Sequence, residues 1–100
     1  MAKNFEPEKT IAITFPLMDS KGCTVNEGDL ASAYIRAFLI SGSQDKRVDT
    51  VKSLTTKEGV LMHIQVAQFS VNVSNSEELD IKRLERDFFE SNGWTWTPDN

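Results

Sequence analysis

The sequence predicts a single small α+β domain with an antiparallel sheet. Its 100 residues suit one domain, and the 39% that are hydrophobic are enough for a packed core. Several segments alternate apolar and polar residues, which is typical of a strand with one buried face. Others place capping residues ahead of apolar residues at helical spacing. We therefore expect residues 1–100 to form one domain, with a frayed N-terminus over residues 1–8.

The first strand is predicted from about Lys9, where the polar N-terminal segment ends. Its apolar residues alternate with small or polar ones, at Ile11, Ile13, Phe15 and Leu17. This period of two indicates that one face of the strand is buried and the other is open.

The first helix is predicted between a capping motif and a glycine. Thr24 and Glu27 match a capping box, in which each side chain accepts a hydrogen bond from the backbone N–H of the other residue. Asn26 is an alternative cap. The helix should run to about Ser41, because Gly42 is a natural C-terminal stop.

Two further strands are predicted on either side of a turn that contains Gly59. The second strand covers Val48 to Thr56, and the third begins near Val60. Apolar residues of the third alternate in one phase at Val60, Met62, Ile64 and Val66, and in the opposite phase at Phe69, Val71 and Val73. Because a phase flip within one strand requires an extra residue, we expect a bulge near Ala67–Gln68, or a break into two short strands.

The second helix is predicted from a cap at Asn75, with Glu78 at its third position, to a stop at Asn92–Gly93. Its inward residues are Ile81, Leu84 and Phe88, flanked by Phe89. The segment Trp94–Thr97 is then rich in strand formers.

The elements therefore follow the order βαββαβ, which is that of a ferredoxin-like (split βαβ) fold. Such a fold has an antiparallel sheet with two helices on one face. If the four-residue segment 94–97 does not pair with the sheet, the order becomes βαββα with an aromatic C-terminal tail. Both orders belong to the α+β class.

Composition excludes several classes of function. The net charge of −4 argues against nucleic-acid binding, which needs a basic surface, so single-stranded nucleic-acid binding is a minor alternative. No apolar stretch is long enough to span a bilayer, and the charged N-terminus does not resemble a signal peptide. The single cysteine, Cys23, allows no intrachain disulfide, so we expect a cytoplasmic protein in a reducing compartment.

The chain offers little chemistry for catalysis. Cys23 and His63 are the only cysteine and histidine, and we expect one in a loop and the other on an open sheet face. Two such residues are too few for a structural zinc site, and the five glycines form no phosphate-binding loop. We therefore expect no enzyme activity, no cofactor and no metal.

An excess of apolar surface on the first helix is the most informative feature. Leu30, Tyr34, Ala37 and Phe38 share a narrow arc that should face the sheet. Ile35 and Leu39 fall well outside this arc. Either another element covers them, or they are exposed for a partner.

The C-terminal third adds two features to this hypothesis. Trp94 and Trp96 point the same way in an extended segment, and they serve either as interface residues or as a cap on the open end of the core. The second helix carries six acidic and three basic residues, with Glu85 and Glu90 among the acids. These charges form either a solvated face or an acidic stripe that docks on a basic partner.

The sequence therefore predicts a non-catalytic protein-binding module, with contact residues Ile35, Leu39, Trp94, Trp96, Glu85 and Glu90. Such a protein acts by docking on another protein, as an inhibitor, an adaptor or an accessory protein of the phage or mobile-element type. The alternative is a homo-oligomeric structural or assembly protein, for example a homodimer through Ile35 and Leu39.

Overall fold

A computed structural model describes residues 8–42 and 46–97. Its elements are β1 (Lys9–Pro16), α1 (Glu27–Ser41), β2 (Val48–Thr55), β3 (Leu61–Val73) and α2 (Asn75–Ser91). The predicted frayed N-terminus falls, apart from Glu8, outside these described residues. The protein is thus a small α+β structure with a three-stranded antiparallel sheet and two helices.

The long strand β3 lies in the centre of the sheet, in the order β1-β3-β2. β1 pairs with its second half, from Val66 to Val73, and β2 pairs with its first half, from Leu61 to Gln68. Because both pairings are antiparallel, β1 and β2 run parallel to each other with β3 between them. This arrangement is compatible with a split βαβ, ferredoxin-like fold.

The predicted bulge near Ala67–Gln68 is wrong, because β3 keeps one unbroken register with each neighbour. Phe15 pairs with Ala67 and Pro16 with Val66 on one side, while Asp49 also pairs with Ala67 on the other. The phase of buried residues does flip at this point, from Val66 to Ala67. In a strand with unbroken pairing, this change of phase means that one face of the sheet is covered along one half of β3 and the opposite face along the other half.

Two hydrophobic clusters consequently lie on opposite faces of the sheet. The first includes Ile13, Phe15, Leu30, Ala37, Ala67, Phe69, Val71, Ile81 and Phe88. The second consists of Leu54, Ile64, Val66, Phe89 and Trp94, with Met18, Met62 and Trp96 packed against it. Both helices contribute to the first cluster, and α2 also reaches the second through Phe89.

The helix caps correct two details of the sequence analysis. Asn26, the alternative cap, is the N-cap of α1, and its side chain accepts hydrogen bonds from the N–H groups of Gly28 and Asp29. The α2 cap is Ser74, one residue before the predicted Asn75, and it forms a capping box with Glu77. Neither helix has the length and apolarity needed to cross a bilayer.

The helix α2 lies beside the outer edge of β1. The Lys9 ammonium is 2.7 Å from a Glu78 carboxylate oxygen near the start of the strand. Further along, the Thr14 backbone N–H donates to Glu85 Oε2 at 2.6 Å. A helix therefore covers one edge of the sheet, which is one way in which proteins protect an exposed strand edge.

The predicted final strand is replaced by a tail, so the described residues follow the alternative order, βαββα. Gly93 turns the chain with a φ of 86°. Trp94 then makes one isolated antiparallel bridge with Thr56, and the Thr95 N–H donates to the Thr55 carbonyl at 2.8 Å. Beyond this bridge, the Trp96 indole bonds to Glu85 of α2.

Candidate protein-binding surface

The outer flank of α1 exposes two large apolar side chains. Leu39 is 78% exposed and Ile35 is 49% exposed. On the inner side of the helix, the Tyr34 and Phe38 rings lie 5.1 and 5.2 Å from the ring of Phe69 on β3. These aromatic contacts fix the rotation of α1 about its axis, so that Ile35 and Leu39 point into solvent as the helical spacing predicts.

The uncovered half of the sheet adds more exposed apolar side chains. Val51 is 59% exposed and Leu61 is 62% exposed. Val51 pairs with Gln65, and directly paired residues point their side chains to the same face of the sheet. Because Gln65 is two residues from Ala67 and four from Phe69, Val51 points to the face that α1 covers. We name Ile35, Leu39, Val51 and Leu61 the α1-side surface.

A charged bridge links the start of β2 to the start of α1. Arg47 Nε donates to Asp49 Oδ1 at 2.6 Å, and its Nη1 lies 3.9 Å from Glu27 Oε1. The hydrogen bond with Asp49 is the main reason that the pKa of Arg47 is raised above its usual value. The bridge therefore connects the residue before β2 to the first turn of α1.

The two tryptophans are placed differently. Trp94 is fully buried in the second cluster, and its Nε1–H donates to the Met18 carbonyl at 2.9 Å. Trp96 is half-buried, and its Nε1–H donates to Glu85 Oε1 at 2.9 Å. Trp94 therefore acts as a cap on the core, whereas part of the Trp96 ring remains accessible.

Glu85 is an interior carboxylate with only 5% of its surface exposed. It accepts hydrogen bonds from the Thr14 N–H and the Trp96 indole, and Lys82 Nζ lies 3.7 Å from its Oε1. These donors compensate for the loss of water around the charge. Sequence analysis treats Glu85 as a surface acid, but its spacing of four residues from both Ile81 and Phe89 already places it on the buried side of α2.

The other acids of α2 are mostly engaged. Glu78 pairs with Lys9 at 2.7 Å, Asp80 lies 3.9 Å from Arg83, and Asp87 lies 3.4 Å from Arg86. Glu90 is exposed and forms no ion pair within residues 8–42 and 46–97. Three of the five remaining acids of α2 therefore have a basic side chain within 4 Å.

A hydrogen bond between Ser53 and His63 is the nearest approach to a catalytic pair. The Ser53 Oγ and His63 Nδ1 atoms lie 2.9 Å apart, as cross-strand neighbours on exposed positions of β2 and β3. The hairpin register was the sequence signal for this contact, which our sequence analysis missed. In the part of the chain that the structure describes, no carboxylate hydrogen-bonds to the His63 imidazole to orient it, as a catalytic triad would require.

The remaining candidates for chemistry lie apart from one another. Cys23 is exposed in the loop before α1, whereas His63 is on β3. Among the described residues, no group of three or more His, Cys, Asp or Glu side chains is placed to hold a metal ion. Comparisons with protein-family models, with curated proteins and with solved structures find no match to this chain.

Proposed function

We propose that this protein is a non-catalytic protein-binding module that docks through the α1-side surface. The observation that carries the proposal is the exposure of Leu39, at 78%, on a helix whose other face is packed against the sheet. Removing a large aliphatic side chain from water contributes about 1.5–3 kcal/mol before the costs of association, so Ile35 and Leu39 supply a useful anchor.

The surroundings of Ile35 and Leu39 define the kind of partner. Ser32 and Arg36 lie beside them on the helix and provide a polar rim. A partner that covers this flank needs an apolar groove with acceptors for Arg36 at its edge. In this proposal the protein acts in the cytoplasm as an inhibitor, adaptor or phage-type accessory protein on a ferredoxin-like scaffold, and it acts by covering the partner's surface.

Photo-crosslinking at position 39 tests the proposal. A photoreactive amino acid is introduced at Leu39 in the full chain, expressed in its native cells, and crosslinked products are identified by mass spectrometry. We expect one defined protein to be captured from position 39. The same amino acid at Leu79, which is 67% exposed on α2, is the matched control and should not capture it.

The substitution Leu39→Glu gives the complementary measurement. Because the side chain is exposed, the free energy of unfolding should change by no more than about 0.5 kcal/mol, while binding to the captured protein should be abolished. A large loss of stability, or equal capture from positions 39 and 79, would contradict the proposal.

The second candidate function is self-assembly, and the free edge of β2 favours it. The Thr55 carbonyl accepts from the tail and therefore points away from β3. Because backbone direction alternates along a strand, the N–H and C=O groups of Asp49, Val51 and Ser53 also point outward. An unpaired edge of this kind can add a strand from a second copy. Solution mass by light scattering across a range of concentrations separates the two candidates.

A further inference from the structure

We propose that the protein carries a second site, a cleft that binds a small carboxylic acid with a flat apolar body. The cleft has a volume of about 270 Å³ and lies beside the second cluster, away from the α1-side surface. Its principal lining residues are Thr14, Lys52, Leu54, Glu85, Phe89 and Trp96. This volume lies just below the range of about 300–1,000 Å³ that is typical of small-molecule sites, so the ligand is small.

The apolar part of the cleft is positioned before any ligand arrives. Leu54 and Phe89 are buried members of the second cluster. The Trp96 ring forms a wall, and its hydrogen bond to Glu85 at 2.9 Å holds the indole in one orientation. A flat ring packs well against an indole, and a fixed wall lowers the entropic cost of binding.

The charges around the cleft favour an anion. Lys52 is half-buried and forms no ion pair with a residue in the described ranges. The Glu85 carboxylate is already engaged by the Thr14 N–H, the Trp96 indole and the nearby Lys82. A ligand carboxylate would supply a counterion for Lys52, whereas Lys52 would repel an amine.

The two indole N–H groups allow a direct test with phenylacetate as the probe. Phenylacetate is titrated into the ¹⁵N-labelled full chain, and the indole signals are followed by NMR. We expect the Trp96 signal to shift with saturation. The Trp94 signal should stay in place, because this indole bonds to the Met18 carbonyl and does not line the cleft.

Matched probes and variants isolate the role of the charge. Phenylacetamide, the neutral analogue, should bind about tenfold or more weakly, because it lacks the charge-assisted hydrogen bond to Lys52. Lys52→Met should weaken phenylacetate binding to the same extent and leave the affinity for phenylacetamide unchanged. Lys52→Arg should retain phenylacetate binding.

The control variant is Lys57→Met, which removes the same charge from an exposed position in the β2–β3 turn. It should bind phenylacetate as the unmodified chain does, and thermal melting establishes that each variant is folded. Equal affinity for the acid and the amide, an equal loss in Lys57→Met, or an unchanged Trp96 signal at millimolar phenylacetate would overturn the proposal. None of these results depends on the protein partner of α1.

Discussion

At the scale of single residues, Glu85 shows how a charge is accommodated inside a small domain. Its carboxylate joins three parts of the chain that are distant in sequence: α2, the Thr14 N–H of β1 and the Trp96 indole of the tail. The bond from the Thr14 N–H satisfies a backbone donor at a buried position. The side chain therefore connects the tail and α2 to the edge of the sheet.

The substitution Glu85→Leu should lower the free energy of unfolding by about 2–4 kcal/mol. Its physical cause is that the buried Thr14 N–H loses its acceptor, which costs about 1–3 kcal/mol, and that the hydrogen bond from the half-buried Trp96 indole is lost as well. Urea denaturation followed by circular dichroism measures the change.

Glu90→Leu is the matched control for this prediction. It makes the same chemical change on the same helix, but at an exposed position, so its effect should stay within about 0.5 kcal/mol. Similar losses in the two variants would show that Glu85 contributes no more than an exposed acid of α2.

At the scale of elements, the C-terminal tail is part of the core although it forms no strand. Trp94→Ala should lower the free energy of unfolding by about 3–5 kcal/mol, because a fully buried indole is removed and a cavity remains. Thermal denaturation of the variant measures this loss.

Trp96→Ala provides the comparison. Because Trp96 is only half-buried, this substitution should lower the free energy of unfolding by less than Trp94→Ala does. Deletion of residues from Trp94 onward should leave the chain unfolded. A truncated chain that remains well folded would mean that the tail is an appendage to a core that is stable without it.

Elements with a local cause were predictable from the sequence. The apolar period of β1 and the glycine stop of α1 are local signals, and both elements lie where they were expected. The exposure of Ile35 and Leu39 also follows from helical spacing.

Features that depend on distant contacts were not predictable. The change in phase of the apolar residues along β3 predicts a bulge only if the same face stays buried along the whole strand. Sequence periodicity indicates which residues are buried, but it does not indicate which element covers each face of the sheet. In the structure α1 covers one half of the strand, while Phe89 and Trp94 cover the opposite face of the other half. The distinct environments of Trp94 and Trp96 likewise arise from contacts with Met18 and Glu85, far away in the sequence.

At the scale of the whole molecule, Val51→Pro tests the self-assembly candidate. The Val51 N–H points away from β3, so proline at this position removes no hydrogen bond within the sheet but blocks strand addition at the edge. If β2 pairs with a second copy, light scattering should show a dimer for the unmodified chain and a monomer for Val51→Pro, with a small change in melting temperature.

Leu39→Glu distinguishes the two surfaces in the same measurement. A dimer that persists in Val51→Pro and dissociates in Leu39→Glu would place the self-contact on α1 instead of on β2. A monomer at every concentration would contradict the self-assembly candidate and leave the α1-side surface for a different protein.

The unequal edges of the sheet determine how far any edge-to-edge growth can proceed. The helix α2 occupies the β1 side, with contacts at Lys9 and Thr14, so within residues 8–42 and 46–97 only β2 offers a free row of backbone groups. Two copies joined through β2 would use the free edge of both and leave none for a third. Such a pair has closed two-fold symmetry, and the same covering helix that stabilises the monomer would prevent growth into fibres.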